Sequence, residues 1–198
     1  MTATRIYLVD DDEAVRNALS LLLSTYAMQV ETFADPTTFL AHVETRRPGI
    51  LLLDLRMPLI SGLQVQQKLT ERNIDWPIIM ITGHGDVNAC RRAFKAGVSD
   101  FLSKPIDEDV LLDAIQSAQG LLQATLERQE AIGLLASLTS REREVLDLVC
   151  QGFASKDIAS ALDISARTID AHRANIAEKL GTSSVAEFVR LTVAAASR

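Results

Sequence analysis

The sequence predicts a doubly wound α/β domain with a five-stranded parallel sheet, followed by a small all-α domain of four helices. Up to about residue 104, short strand-like runs alternate with amphipathic helix-like segments. This alternation is typical of a parallel sheet covered by helices on both faces. From Leu138 onward the pattern is wholly helical, and the 47% hydrophobic share of the 198 residues is sufficient to form the cores of two domains.

The sheet domain is predicted element by element. Five strand-like runs share an enrichment in apolar residues, and they span 5–10, 28–33, 50–54, 77–82 and 98–102. Ser61-Gly62-Leu63-Gln64 has the spacing of a capping box for the third helix. Gly83-His84-Gly85 interrupts the chain after the fourth strand. After Asp107, apolar residues at helical spacing predict a helix of about 24 residues, which we expect to end around Ala131 to Ser137, where Gly133 and small residues suit a linker.

The helical domain also follows from local patterns. Thr139-Ser140-Arg141-Glu142 matches a capping box at the start of its first helix. A short helix over Ser155 to Leu162 is followed by a longer one, which Ser165 would cap and which runs to Leu180. Two helices joined by a tight turn predict a helix-turn-helix. A last helix, from Ser183 to Ala196, would close the small core.

Charge and cysteine content exclude several classes of function. The 26 acidic and 20 basic residues give a net charge of −6, so nonspecific adhesion to membranes or nucleic acid is not expected as the main activity. After Thr125 the balance is 9 basic to 10 acidic residues, or −1. Met1 to Arg5 lacks the features of a secretory signal and no stretch approaches a membrane span, so we expect a cytosolic protein without a membrane partner. Cys90 and Cys150 lack metal-ligand spacing and are interpreted as apolar filler, with a redox role for Cys90 left open.

Acidic residues follow two of the predicted strands. Asp54 closes the apolar run 50–53, Asp10-Asp11-Asp12 closes an earlier run, and Lys104-Pro105 follows the fifth. The carboxyl ends of parallel strands share one edge, where α/β proteins bind ligands. Two carboxylates 4 Å apart repel by about 4 kcal/mol at an effective dielectric of 20, so a cation is required nearby. Oxygen ligands favour Mg²⁺, which also suits phosphoryl transfer to an aspartate.

Four short motifs in this order resemble the receiver domain of two-component response regulators, which has a flavodoxin-like fold. They are Val9-Asp10-Asp11-Asp12, Asp54-Leu55-Arg56-Met57-Pro58, Ile81-Thr82-Gly83-His84-Gly85 and Lys104-Pro105. The C-terminal part resembles the LuxR-type helix-turn-helix. Together they resemble the NarL/FixJ group of transcription regulators, and most of all its FixJ-like branch. The expected division is a receiver domain at 1–125, a helical extension and linker at 126–137, and a DNA-binding domain at 138–198.

The resemblance implies a phosphorylation site. Asp54 would accept phosphate from a phosphohistidine of a sensor histidine kinase. Mg²⁺, the expected cofactor, would be held by Asp10, Asp11, Asp54 and the carbonyl of Arg56. The chain would not be an enzyme, although it could remove its own phosphate.

The resemblance also implies a switch. Thr82 and Phe101 would be the switch pair, and Lys104 the phosphate-binding lysine, with a cis peptide bond between Lys104 and Pro105. Leu59 departs from the family, in which an acidic or other polar residue often follows Met-Pro. Arg56 and His84 stand where family members tune attack of water on the phosphoaspartate.

A phosphate-dependent homodimer is a further expectation. The moving face would comprise the fourth helix, fifth strand and fifth helix. Arg91, Arg92 and Lys95 lie on that predicted fourth helix, and Asp100, Asp107 and Asp109 are near it in the sequence. We therefore expect a dimer face that includes Arg91, Lys95 and Asp100 and has a charge-paired rim.

The expected partner of the C-terminal domain is double-stranded promoter DNA, with RNA polymerase as a possible further partner. The basic residues between 155 and 181 are matched by acidic ones, so counting charges reveals no electropositive patch. The predicted DNA-contacting residues are those on the outer face of the helix-turn-helix or within reach of phosphates: Lys156, Arg167, Thr168, Asp170, Ala171, Arg173, Ala174 and Lys179. The family implies that the last helix pairs two such domains on two half-sites.

Two other functions share features with a phosphorylated regulator. A phosphohydrolase with an aspartate nucleophile needs a second Asp two residues after the first, and position 56 is Arg. A regulator switched without phosphate, by a partner or by oxidation of Cys90, remains the alternative. An intact set of Asp10, Asp11, Asp54, Thr82 and Lys104 favours phosphate.

Overall fold

The computed structural model describes residues 4–83 and 97–197. Contacts divide the chain into two compact units, Met1–Gln123 and Ala124–Arg198. Within the described ranges, no helix is both long enough and apolar enough to cross a membrane.

The first unit is built on a parallel sheet. Its strands, as far as the structure describes the chain, are β1 (Arg5–Val9), β2 (Gln29–Phe33), β3 (Ile50–Asp54), β4 (Ile78–Thr82) and β5 (Asp100–Ser103). They pair in the order β2-β1-β3-β4-β5, and every pair is parallel. The predicted five-stranded parallel sheet is therefore confirmed.

The register of the strands brings the predicted site residues to one edge. Val9 pairs with Leu53 of β3, and Asp54 pairs with Ile81 of β4. Asp10 follows β1 directly and Asp54 ends β3, so both carboxylates lie at the carboxyl edge of adjacent central strands. Because β3 is buried along its whole length, its apolar run has packed helices on both faces.

Helices cover the sheet in two layers. Among residues 4–83 and 97–197 these are α1 (Glu13–Thr25), α2 (Pro36–His42), α3 (Gly62–Glu71) and α4 (Glu108–Ala136), with a 3₁₀ turn at Val43–Thr45. One face of the sheet packs on α2 and α3, and the other on α1 and the first half of α4. Asp12 caps α1, and the predicted capping box of Ser61 and Gln64 starts α3.

The predicted loss of helix around Ala131 is wrong. α4 runs for 29 residues and ends at Ala136. Ala131 is fully buried, and Leu134 and Leu135 pack on the same C-terminal core. The small residues that suggested a linker therefore allow close packing, and Gly133 is tolerated in a helix stabilised by burial on both sides of it.

The second unit is helical, as predicted. It contains the end of α4 together with α5 (Ser140–Cys150), α6 (Ser155–Leu162), α7 (Ala166–Leu180) and α8 (Val185–Ala196). Their apolar faces form one core whose buried members are Ala131, Leu138, Val145, Leu146, Val149, Ile158, Ala159, Ile169, Ile176, Leu180, Phe188 and Leu191.

The caps of these helices agree with the sequence. Thr139 and Glu142 form the predicted capping box of α5, and the side chain of Ser165 accepts a hydrogen bond from the amide of Thr168. Gly181 ends α7 with a φ of 68°, a left-handed conformation that glycine adopts without strain. α6 and α7 are thus the two helices of a helix-turn-helix.

Candidate functional site

Lys104 joins two buried carboxylates at the carboxyl edge of the sheet. Its Nζ donates to Oδ2 of Asp10 at 2.7 Å and to Oδ1 of Asp54 at 2.8 Å. Asp10 is completely buried and Asp54 nearly so. The predicted convergence of acids and a lysine at this edge is therefore observed for these three residues.

The main chain fixes each of the three groups. The amide of Asp12 donates to Oδ1 of Asp10 at 2.9 Å, and the amide of Arg56 donates to Oδ2 of Asp54 at 2.7 Å. The amide of Lys104 donates to the carbonyl of Thr82 at 2.8 Å, which ties the lysine to the end of β4. Each carboxylate thus has one oxygen on an amide and the other on the ammonium group, so its orientation is set before any ligand binds.

Burial and charge shift the ionisation of this cluster. Burial raises the pKa of Asp54, and the charge of Asp10 adds to that rise, while Lys104 and the Arg56 amide oppose it. Burial works against the charged form of Lys104, but its hydrogen bonds to Asp10 and Asp54 outweigh that effect and raise the pKa of Lys104. The cluster therefore stabilises a positive charge at Lys104 and carries a destabilising negative charge at Asp54.

The three consecutive acids have separate roles. Asp10 belongs to the buried cluster, whereas Asp12 accepts hydrogen bonds from the amides of Ala14 and Val15 and caps α1. Asp11 is exposed. Arg16, one turn into α1, donates to the carbonyl of Asp10 at 2.7 Å. This arginine was not identified from the sequence, and its position one turn after the capping acid was the available signal.

The oxygen atoms at this edge of the sheet suit Mg²⁺. One ammonium group, that of Lys104, binds the two buried carboxylates of Asp10 and Asp54, so these three side chains together carry one net negative charge. No three acidic, histidine or cysteine side chains within the described ranges are gathered at metal-binding distance. The charge and the donor type therefore fit the ion, and the metal site predicted from Asp10, Asp11, Asp54 and Arg56 stays a prediction.

The predicted switch residues lie on the two strands at one end of the sheet order, Thr82 on β4 and Phe101 on β5. Thr82 is buried at the end of β4. Phe101 of β5 is half-buried, pairs with Met80 and packs against the core between the sheet and α3. The peptide bond between Lys104 and Pro105 is cis, as expected. Their switching roles stay predictions.

Gly62 and Leu59, which follow β3, have structural constraints that the sequence did not predict. Gly62 begins α3 so close to the strand that a Cβ atom would lie 2.5 Å from the carbonyl oxygen of Asp54 and 2.7 Å from Sδ of Met80. Leu59 is 91% exposed and has a φ of 67°, which a leucine adopts only with strain. For Gly62, the available sequence signal was a glycine at a helix start soon after a strand end. For Leu59, it was an apolar residue where the family often has a polar one.

The second candidate site is the outer face of the helix-turn-helix. Most residues predicted to contact DNA are exposed: Lys156, Arg167, Thr168, Asp170, Ala171, Ala174 and Lys179. Arg173 is half-buried. The hydroxyl of Thr168 lies 2.8 Å from that of Ser165 at the start of α7. The face of α7 opposite Ile169 and Ile176 is thus available to a ligand, although no contact with DNA is tested.

Lys179 differs from the other predicted DNA-contacting residues. Its Nζ donates to Oε2 of Glu142 at 2.6 Å, and the carboxylate of Glu142 is buried at the start of α5. Lys179 therefore has a partner inside the unit, which the sequence did not predict because the two residues are 37 positions apart.

Several predicted residues lie outside the described residues. These are His84, Cys90, Arg91, Arg92 and Lys95. Of the predicted dimer face, only Asp100 is described, and it is half-buried, with Oδ1 accepting a hydrogen bond from the amide of Phe101 at 2.7 Å. The dimer face and the redox role of Cys90 stay predictions.

Comparison with known families gives two matches. Residues 6–116 match the response regulator receiver domain, and residues 136–192 match the bacterial regulatory proteins of the luxR family. The two matches follow each other in the order that the sequence predicted.

Individual proteins resemble the chain over nearly its whole length. The response regulator protein TmoT of Ectopseudomonas mendocina is 46% identical over 191 residues, which cover 94% of this chain and 87% of that protein. The transcriptional regulatory protein FixJ of Rhizobium meliloti (strain 1021) is 39% identical over 198 residues, covering 98% and 97%. Among solved structures, the response regulator StyR is similar with a TM-score of 0.73 and 41% identity, covering 97% of this chain and 99% of StyR. Full-length FixJ from B. japonicum has a TM-score of 0.61 and 36% identity, covering 98% of each chain.

Proposed function

Because the chain belongs to the response regulators that join a receiver domain to a LuxR-type DNA-binding domain, we propose that a sensor histidine kinase phosphorylates Asp54 in the presence of Mg²⁺. The phosphorylated chain would then dimerise and control transcription at its target promoters. RNA polymerase would be a further partner at those promoters.

The observation that carries the proposal is the hydrogen bonding of Asp54. Its carboxylate is held by Lys104 on one oxygen and by the Arg56 amide on the other, at the end of a fully buried strand. Burial raises the pKa of Asp54. A carboxylate that is both orientated and poorly solvated is more nucleophilic than one in water, which suits attack on a phosphorus atom.

Each residue of the site has a defined task in this reaction. An oxygen of Asp54 forms a bond to phosphorus while the bond from phosphorus to the imidazole nitrogen of the phosphohistidine breaks, and the imidazole leaves with the electron pair. Lys104 neutralises charge on the phosphoryl oxygens, and the hydroxyl of Thr82 donates to one of them. Bound Mg²⁺, held through Asp10, Asp11, Asp54 and the Arg56 carbonyl, would supply the remaining positive charge. Hydrolysis of the phosphoaspartate by water would return the chain to its starting state.

Dimerisation is the proposed link between phosphate and DNA. The C-terminal part has a net charge of about −1, so one copy would bind DNA weakly and two linked copies would gain affinity by avidity. α8 supports pairing of the DNA-binding units, because Val185, Val189 and Val193 are exposed at a spacing of four residues and therefore share one face.

A direct experiment is incubation of the purified chain with a small phosphodonor, with and without Mg²⁺, followed by intact mass, sedimentation and DNA binding. We expect one phosphoryl group per chain only with Mg²⁺, none in Asp54→Asn, and full incorporation in the control Asp75→Asn, which alters an exposed acid. Phosphorylation should convert a monomer to a dimer that binds DNA more tightly. Undiminished incorporation in Asp54→Asn would refute the site.

Inhibition by contact is the alternative to dimer control, and a fragment separates the two. Because Ala131, Leu134 and Leu135 belong to the C-terminal core, the fragment must begin near Ala124. Under dimer control it binds an operator no better than the unphosphorylated full chain. A fragment that binds as tightly as the phosphorylated chain would support relief of a contact instead.

A further inference from the structure

The first turn of α5 contacts both helices of the helix-turn-helix. Neighbouring residues of this turn, Arg141 and Glu142, reach in different directions. Arg141 binds the end of α6, and Glu142 binds a side chain near the end of α7. No residue of this turn is among those predicted to contact DNA.

Glu142 is a buried carboxylate with three donors on one oxygen. Its Oε2 accepts from the Thr139 amide at 2.8 Å, from the Thr139 hydroxyl at 3.0 Å and from Nζ of Lys179 at 2.6 Å. The first two bonds close the capping box of α5, and the third binds the last turn of α7 to it. A buried carboxylate without a counter-charge is costly. The ammonium group of Lys179 is therefore strongly favoured next to Glu142 over a position in solvent.

Arg141 makes the corresponding contact with α6. Its Nη2 donates to the carbonyl oxygen of Leu162, the last residue of α6, at 2.6 Å, while its Nη1 pairs with Glu144 at 2.7 Å. The final carbonyls of a helix lack partners within the helix, and Asp163 turns the chain there with a φ of 52°. Arg141 therefore fixes the start of the turn between α6 and α7.

We propose that Arg141 and Glu142 are positioning residues for DNA binding, and that Lys179 serves DNA binding as the partner of Glu142 and not as a contact to phosphate. The proposal rests on DNA binding by the helix-turn-helix. It assigns the first turn of α5 the task of holding α6 and α7 at the mutual position in which the outer face of α7 fits the groove.

Arg167 is the matched comparison for Lys179. Both are exposed cations of α7, but Arg167 lies in the first turn of the helix and forms no ion pair with any described residue, whereas Lys179 is bonded to a buried carboxylate. A cation that neutralises a phosphate releases a counterion on binding, and a cation already neutralised within the protein does not. Salt dependence therefore distinguishes the two roles.

The experiment measures the affinity of the full chain, treated with a small phosphodonor and Mg²⁺, for a duplex that the wild-type chain treated in the same way enriches from a random pool, at several salt concentrations. Arg167→Met should reduce the slope of log K against log salt by about 1. Lys179→Met should weaken binding by about tenfold with an unchanged slope, and Lys179→Arg, which keeps the charge, should restore most of the affinity. A slope reduced by about 1 in Lys179→Met would show a phosphate contact and overturn the proposal.

A double-mutant cycle tests the pair directly. Glu142→Gln keeps an acceptor for the capping box but loses the charge that binds Lys179, so the fold of α5 is retained. The double variant Glu142→Gln/Lys179→Met should bind within about twofold of either single variant, because the two residues act through one contact. Weakening equal to the product of the single effects would refute the coupling.

Arg141→Met tests the second contact. It should weaken DNA binding by about tenfold without changing the salt slope, and far-UV circular dichroism should show the helix content of the wild type. Unchanged affinity would remove Arg141 from the proposal. If the wild-type chain enriches no duplex, DNA binding itself is refuted. If the wild-type chain binds DNA but Lys179→Met reduces the salt slope by about 1, only the role proposed for Lys179 is refuted.

Discussion

Replacement of Lys104 by methionine should destabilise the first unit by about 3 kcal/mol at neutral pH. The substitution keeps the length of the side chain and removes the ammonium group that bonds to Asp10 and Asp54. Both carboxylates would remain buried without this counter-charge. Breaking a buried ion pair from one side is costly for this reason.

The magnitude follows from the geometry. Because the two carboxylate oxygens bind the same nitrogen at 2.7 and 2.8 Å, they lie no more than about 5.5 Å apart. At an effective dielectric of 20, two unit charges at that separation repel by about 3 kcal/mol, and the substitution removes the ammonium group that offsets this repulsion in the wild type. With a urea m-value of about 1.5 kcal/mol per molar, the midpoint of unfolding should fall by about 2 M.

The assay can observe the first unit alone. The chain has one tryptophan, Trp76, which stacks on Tyr7 with ring centroids 5.1 Å apart in the core of that unit. Its fluorescence during urea unfolding therefore reports on the sheet and not on the helix-turn-helix. Lys68→Met is the matched control, because Lys68 is exposed on α3 and should cost less than about 0.5 kcal/mol.

The second half of the test is Asp54→Asn in the Lys104→Met background. Since the repulsion needs both carboxylates, the double variant should recover most of the lost stability. Mg²⁺ should also stabilise Lys104→Met more than the wild type, because the negative charge that attracts the ion is larger. A cost below about 1 kcal/mol for Lys104→Met would contradict this reasoning, and so would strict additivity with Asp54→Asn. Either result would show that Lys104, Asp10 and Asp54 are less strongly coupled than their distances imply.

Three further predictions concern single side chains. Gly62→Ala should slow phosphorylation of Asp54 by at least about tenfold, because its Cβ would displace the end of β3, whereas Gly120→Ala, with open space around it, should stabilise α4 by about 0.5–1 kcal/mol. Leu59→Asn should raise the free energy of unfolding by about 0.5–1 kcal/mol, since asparagine tolerates a φ of 67°. The hydrogen bond from Lys179, with help from Thr139, lowers the pKa of Glu142 from its ordinary 4.5 to about 2, so stability that is present above pH 4.5 should be lost as the pH falls toward 2. Glu142→Gln should remove that pH dependence, and urea unfolding followed by circular dichroism at pH 5 and pH 3 would measure it.

Much of the fold was predictable because its determinants are local. The run Ile50–Leu53 marked a strand buried on both faces, and Thr139 and Ser165 marked helix starts by their capping spacing. The position of Asp54 at the carboxyl edge also followed, because parallel strands end together. Local pattern failed at Ala131, where small residues indicated a linker and the structure shows a buried helix position.

Contacts between distant residues were not predictable in the same way. The bond from Lys179 to Glu142 and the bond from Arg141 to Leu162 each depend on where whole helices pack. The backbone strain at the exposed Leu59 arises because the surrounding loop imposes a positive φ that a leucine side chain does not favour. Such features follow from tertiary structure, which overrides the local preference of the residue.

The two lysine–carboxylate contacts of this chain have opposite consequences because their charge balances differ. Glu142 and Lys179 neutralise each other one to one, and Thr139 supplies the remaining donors to the carboxylate, so the contact is complete and needs nothing from outside. At the sheet edge, the single ammonium group of Lys104 binds two carboxylates, so these three side chains together keep a net negative charge. A neutral ion pair such as that of Glu142 and Lys179 holds helices together. A cluster with net negative charge attracts a cation, and its conformation can shift when a ligand binds. The same type of contact therefore supports a structural role in the helix-turn-helix and a ligand-binding role beside Asp54.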